Sequence, residues 1–152
     1  MKTILAALDL SPGSGRVCAA ACALARPLDS HLVLLHVIVP PAVPLTGVGF
    51  AVSQVRSMMA ALEKRAARRL EALGRRCEGQ LGRRVSVALR EGDPAALILG
   101  KAGTIRAGCI VLGSHGHTAA YDLLIGSTTQ AVLRRSKCPV HVVPMRPAGP
   151  KR

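Results

Sequence analysis

A chain of 152 residues, 49% of them hydrophobic, fits one domain and supplies enough apolar surface for a packed core. Phe50 and Tyr121 are its only aromatic residues, which excludes the base-stacking platforms that single-stranded nucleic acid requires. The net charge of +13 suits DNA, RNA, an acidic membrane surface or a polyphosphate ligand, but no nucleic-acid motif accompanies it, so solvated basic helix faces are its first explanation.

In chain order, Thr3 to Leu8 is a continuous apolar run, the pattern of a strand buried on both faces. Asp9 interrupts it too early for the apolar core of a secretion signal, so the expectation is a soluble, cytoplasmic protein. Ser11 followed by Pro12 predicts a helix start, with serine as N-cap and proline at the first helical position. Val17, Ala20, Ala21 and Leu24 continue at helical spacing, and Pro27 ends the element. His31 to Val39 is a second continuous apolar run. Pro40 to Phe50 is rich in proline and glycine and reads as a loop.

From about Ala51 to Gly79 an apolar stripe (Val55, Met59, Leu62, Ala66, Leu70, Leu73, Cys77) marks an amphipathic helix. Its other face carries Arg56, Lys64, Arg65, Arg68, Arg69, Arg75 and Arg76, read as solvated. Arg84 to Arg90 alternates as a third strand. Asp93 and Pro94 predict the N-cap and first residue of a helix to about Ile105. Cys109 to Leu112 is a fourth strand, Thr128 to Arg135 a last helix, and Val140 to Val143 a fifth strand. Pro139 and Pro144 bracket that last strand, which places it at an edge. The expected domain spans residues 1–146, with a flexible basic tail at 147–152. Five cysteines form no Cys-x-x-Cys pair. Cys18 and Cys22 share a helix face without further metal ligands at useful spacing, so reduced thiols packed as small hydrophobes are expected.

Buried strands alternating with helices predict an α/β fold: an open, five-stranded parallel sheet with helices on both faces. Ligands of such sheets bind beyond the carboxyl ends of the strands, where strand order reverses. Gly13 and Gly15 lack the third glycine of a dinucleotide fingerprint, and no Walker A pattern is present. Asp9, at the end of the first strand, can cap the following turn or accept hydrogen bonds from ribose hydroxyls. After the fourth strand come Gly113-x-x-Gly116 and, nine residues on, Gly126-Ser127. Backbone N–H groups at Gly126, Ser127 and Thr128, with the hydroxyls of Ser127 and Thr129, can hold phosphate oxygens at a helix start. His115 is placed to add partial charge near a terminal phosphate.

This glycine spacing matches the nucleotide-binding pattern of the universal stress protein family. The first strand with Asp9 and Ser11, the LLHVI run at Leu34 to Ile38, the EGDP turn and the closing CPVHVVP also resemble that family. The resemblance implies a Rossmann-like sheet of the adenine nucleotide α-hydrolase type with strand order 3-2-1-4-5, and a homodimer paired through the last strand, residues 139–143. It also implies ATP binding. By position, Ala7 and Leu8 would border the adenosine, Asp9 would take ribose, and Val37 would meet adenine through its backbone. Leu112, Gly113, His115 and Gly116 would line the phosphate loop. Gly126, Ser127, Thr128 and Thr129 would hold the phosphates, with Mg2+ or Mn2+ carried on the phosphates rather than on protein carboxylates. The residues near those phosphates include hydroxyls and one histidine but no carboxylate base, so the expectation is a regulatory or stress-tolerance protein rather than an efficient enzyme. Slow hydrolysis, or self-phosphorylation on Ser127 or a neighbour, is compatible with the resemblance.

Competing readings are a nucleic-acid module driven by the basic helix, and an interaction dimer with no nucleotide. A nucleotidyltransferase of related topology would need His-x-Gly-His after the first strand. Here His115-Gly-His117 follows the fourth.

Overall fold

The continuous apolar runs become the interior strands of one sheet. The computed structural model describes residues 2–40, 50–114 and 125–145. The interior of the loop expected after Pro40 and the expected tail at 147–152 lie outside the described residues. The elements are β1 (Thr3–Leu8), α1 (Ser14–Ala25), β2 (His31–Ile38), α2 (Phe50–Leu81), β3 (Ser86–Glu91), α3 (Pro94–Thr104), β4 (Ala107–Gly113), α4 (Ser127–Arg135) and β5 (Val140–Val143). All strand pairs are parallel, in the order β3-β2-β1-β4-β5.

That order follows from the helical crossovers that join successive parallel strands. The chain moves outward through β2 and β3, returns to the other side of β1, and moves outward again through β4 and β5. The reversal puts α1 and α2 on one face and α3 and α4 on the other. Alternate residues of β1 divide accordingly: Ile4, Ala6 and Leu8 join the core with α1 and α2, while Leu5 joins the core with α3 and α4. The point of reversal lies between β1 and β4, so their carboxyl ends diverge there and leave a crevice.

The expected start of α1 needs correcting. The helix begins at Ser14 with Gly13 as N-cap, and Ser11 and Pro12 precede it. Local hydrogen bonding takes precedence. Asp9 Oδ1 accepts from Ser11 N at 2.9 Å and from Ser14 Oγ at 3.0 Å, and Ser11 Oγ accepts from Gly13 N at 3.1 Å. This closed turn occupies residues 9–13 before the helix can begin. Leu10 within it has φ 58, a left-handed conformation that an L-residue with a branched side chain adopts only under tertiary constraint.

Asp93 does cap α3, accepting from Ala96 N at 2.7 Å, with Pro94 in the first turn. Gly92, at φ 138, is in a conformation open to glycine, and its N–H donates to Ile38 O at the end of β2. This turn therefore ties the ends of β2 and β3 together beside the crevice.

The stripe on α2 packs as its spacing requires at Ala66, Leu70 and Cys77, which are buried, whereas Leu62 is 41% exposed. Gly74 lies against the edge strand: a Cβ there would meet Val87 Cγ1 at 2.8 Å. In an open helix interior Gly→Ala stabilises by about 1 kcal/mol. Here the clash reverses the sign. Gly74→Ala is expected to lose about 1–3 kcal/mol in urea denaturation, and the same change in a Val87→Ala background should be stabilising. Equal effects in the two backgrounds would mean that this contact does not govern the helix–strand spacing.

Candidate functional site

The carboxyl ends of β1, β2 and β4 open into a cavity of about 630 Å³, a size usual for small-molecule and cofactor sites. Of the residues singled out from the sequence, Ala7, Leu8, Asp9, Val37, Leu112, Gly113, Gly126, Ser127, Thr128 and Thr129 all line it. Four separate segments thus converge on one volume. His115 and Gly116 lie outside the described residues.

Asp9 is the one carboxylate among the described lining residues. Its Oδ1 is fully used by Ser11 N and Ser14 Oγ. Its Oδ2 is buried and accepts no hydrogen bond among the described residues. A buried carboxylate oxygen without a donor is costly, on the order of 1–3 kcal/mol or more. The sequence left two roles open for Asp9, turn capping and ligand contact, and its two oxygens divide between them: Oδ1 holds the turn, and Oδ2 is left over beside the cavity.

Also on the cavity wall, α4 begins at Ser127, with Gly126 as N-cap and no side-chain cap. The N–H of Gly126 is used by Ser114 O at 2.8 Å, and Gly126 O accepts from Gln130 N at 2.9 Å. The N–H groups of Ser127, Thr128 and Thr129, in the first turn, have no intrahelical acceptor. They stand at the positive end of the helix dipole, on the cavity wall. Gly126 has φ −61 and ψ 151, torsions open to any residue.

The Thr129 hydroxyl is already committed, donating to Gly113 O at 2.8 Å, with the residue 4% exposed. It fastens the start of α4 to the end of β4, leaving its backbone N–H as its contribution to the cavity wall. Ser127, exposed, and Thr128, half-buried, retain their hydroxyls at the lip.

Several lining residues escaped the sequence reading. Arg65 and Arg69, assigned to a solvated face of α2, line the cavity, and neither forms an ion pair among the described residues. They are one turn apart on either side of buried Ala66, and nothing in the pattern distinguishes them from the other arginines of that helix. His36 also lines the cavity. Its Nδ1 lies 2.7 Å from Leu8 O, and because a carbonyl can only accept, this nitrogen carries a proton and donates. The placement of half-buried His36 at the cavity depends on the strand's register, which apolar patterning alone does not reveal.

Among the described residues no three His, Cys, Asp or Glu side chains are grouped to hold a metal ion, and no helix is long and apolar enough to cross a membrane. A crevice at the reversal point, a carboxylate at the end of β1 and bare N–H groups at the start of α4 are thus combined on a sheet of order 3-2-1-4-5.

Known proteins share this fold. A universal stress protein of Thermus aquaticus, from the 3′ region of a QAH/OAS sulfhydrylase gene, is 33% identical over 142 residues, covering 93% of this chain and 98% of its own. Among solved structures, the hypothetical protein MJ0577, whose biochemical function was assigned from its structure, superimposes with a TM-score of 0.80 at 25% identity, covering 97% of this chain and 98% of its own. A universal stress protein in complex with cAMP has a TM-score of 0.68 at 20% identity, with coverage of 95% and 98%. One from Archaeoglobus fulgidus in complex with dAMP has a TM-score of 0.65 at 19% identity, with coverage of 93% and 97%. Residues 1–144 match the universal stress protein family as a whole, and the chain belongs to that family.

Proposed function

We propose that the cavity binds an adenine nucleotide, ATP with Mg2+ or Mn2+ carried on its phosphates, and that occupancy governs a regulatory or stress-tolerance role. The observation that carries this reading is that one cavity is lined both by Asp9, whose buried Oδ2 has no partner among the described residues, and by the first turn of α4, whose N–H groups have no intrahelical acceptor. Ribose hydroxyls donate and phosphate oxygens accept, so a nucleotide offers each wall the hydrogen-bonding partner it lacks. In this pose Ala7 and Val37 border the base, Asp9 takes the ribose, and Gly113 and Gly126 leave room for the phosphates. Relatives of the same fold are known in complex with cAMP and dAMP, which supports an adenine nucleotide. ATP in particular rests on the glycine spacing from Gly113 to Ser127.

Such a site favours holding phosphate over cleaving it. Asp9 is committed to its own turn through Oδ1 and, in this pose, to the ribose through Oδ2, and no second carboxylate among the described lining residues can orient a water molecule. Slow hydrolysis or self-phosphorylation at Ser127 is the most this wall would support. β5 forms an edge of the sheet, and a homodimer through residues 139–143 would cover it. A cytoplasmic location completes the proposal.

Calorimetric titration tests it. ATP, AMP and cAMP are titrated into the protein and into Gly126→Val, whose valine fits the existing torsions but fills the approach to the N–H groups. Saturable binding of at least one nucleotide is expected, weakened by tenfold or more in the variant, about 1.4 kcal/mol. No binding at millimolar nucleotide, or equal affinity in the two proteins, overturns the assignment. A band shift of duplex DNA that disappears between low and physiological salt would favour the nucleic-acid reading instead.

A further inference from the structure

The cavity extends past the nucleotide pose onto the other side of the sheet. Of its lining, Val37, Ile98 and Leu112 belong to the core with α3 and α4, whereas Val17, Ile38 and Ala66 belong to the core with α1 and α2. The proposed base and phosphate contacts, Ala7, Val37 and the start of α4, lie on the α3 and α4 side. They leave the part under α1 and α2 unused. Arg65 and Arg69 line that part, on either side of buried Ala66.

Among the described residues these two arginines have no counterion. Side chains three and four positions apart meet on a helix, and no acidic residue stands at those distances from Arg65 or Arg69 in either direction. Arg75, by contrast, has Glu71 four residues earlier and pairs with it at 3.9 Å. Asp9 is the one carboxylate among the described lining residues, and neither arginine forms an ion pair with it. Arg65 and Arg69 are themselves four apart, so their like charges repel until an anion lies between them. Their side chains start from Cβ atoms about 5–6 Å apart, close enough for both guanidinium groups to converge on one anion.

We propose that Arg65 and Arg69 form a second anion subsite of the cavity, which takes a phosphoryl group separate from the phosphates at the start of α4. Charge selects the group. A phosphate monoester carries between one and two negative charges at neutral pH and offers three acceptor oxygens, whereas a carboxylate carries one charge and two oxygens. Each guanidinium presents a planar fork of N–H donors that matches phosphate oxygens in pairs. The phosphoryl group has two sources: a second phosphate borne by the bound nucleotide, or a separate anion beside it. The subsite deepens the nucleotide reading and rests on it only for what occupies the α3 and α4 side.

Calorimetric titration at physiological ionic strength tests the subsite, with AMP, adenosine 3′,5′-bisphosphate and inorganic pyrophosphate as probes. Three proteins are compared: the unaltered chain, Arg65→Gln with Arg69→Gln, and Lys64→Gln with Arg68→Gln. Lys64 and Arg68 are exposed on the same helix and do not line the cavity, so the last protein loses the same charge elsewhere. All four positions are exposed and glutamine is a good helix former, so both variants keep the fold. Loss of the cavity arginines is expected to weaken the bisphosphate, or pyrophosphate added with AMP, by about tenfold or more, and AMP alone by less than about twofold. The Lys64 and Arg68 variant should match the unaltered chain on every probe. Bisphosphate bound more tightly than AMP identifies a second phosphate on the nucleotide, and pyrophosphate bound together with AMP identifies a separate anion. The proposal is overturned if neither probe binds at millimolar concentration in a way that depends on Arg65 and Arg69. It is equally overturned if the control variant weakens binding as much, or if AMP weakens as much as the bisphosphate. Absence of AMP binding counts against the nucleotide reading alone, because pyrophosphate still reports on the two arginines.

Discussion

Asp9→Asn is expected to leave the fold intact and to weaken adenine nucleotide binding by about 10- to 100-fold, the effect of losing one charge-assisted hydrogen bond of about 1.5–3 kcal/mol. The substitution separates the two roles of the carboxylate. Ser11 N and Ser14 Oγ both donate to Oδ1, so they orient the asparagine with its carbonyl oxygen toward them and preserve the turn. The amide nitrogen then occupies the place of Oδ2, the buried atom without a partner. It donates and cannot accept, so it meets a ribose hydroxyl with one acceptor fewer. Asp9→Ala removes both functions. It is expected to lose about 1–3 kcal/mol of stability as well, lowering the melting temperature by about 2–4 °C for each kcal/mol. Calorimetric titration and thermal unfolding on the same samples distinguish these outcomes. Wild-type affinity in Asp9→Asn would remove the ribose assignment, whatever Asp9→Ala does.

Leu5→Ala has the largest expected effect on stability, about 2–5 kcal/mol. Leu5 is fully buried at the middle of β1, the central strand, opposite Val33 on β2 and Ile110 on β4. Both flanking strands and the core beneath α3 and α4 lose contacts at once, and a tightly paired centre cannot collapse to fill the space. Leu28→Ala is the matched control: Leu28 is 61% exposed, so its truncation should remain within about 0.5 kcal/mol. Guanidinium denaturation of the two variants measures the contrast. A loss below about 1 kcal/mol at Leu5 would mean that β1 is not the packed centre that its register indicates.

Strands were the most legible part of the chain. Thr3–Leu8 and Val140–Val143 match their expected bounds residue for residue, because apolar runs ended by Asp9 and bracketed by Pro139 and Pro144 leave little latitude. The expected parallel sheet, its order and the edge position of the last strand are all observed. The start of α1 differs from the expectation because two local signals compete there: Ser-Pro indicates a cap, but an aspartate two residues earlier binds the same serine's N–H and postpones the helix. Over Asp93 and Pro94 there is no such competitor, and the same kind of signal was read correctly.

The candidate site was legible in its glycines and Asp9 because these are residue types whose chemistry differs from that of a core. Arg65, Arg69 and His36 were not, since a charged or imidazole side chain carries no mark in sequence of which way its element will turn it.

Sequence by itself determined the elements, the buried strands and the glycine-and-carboxylate chemistry at their ends, because hydrophobic period and turn residues act over a few positions. Only the tertiary structure decided that Asp9 keeps one oxygen unpartnered among the described residues and that Arg65 and Arg69 of α2 line the cavity. These depend on the crossover of the chain at β1 and β4, which brings distant segments together by packing.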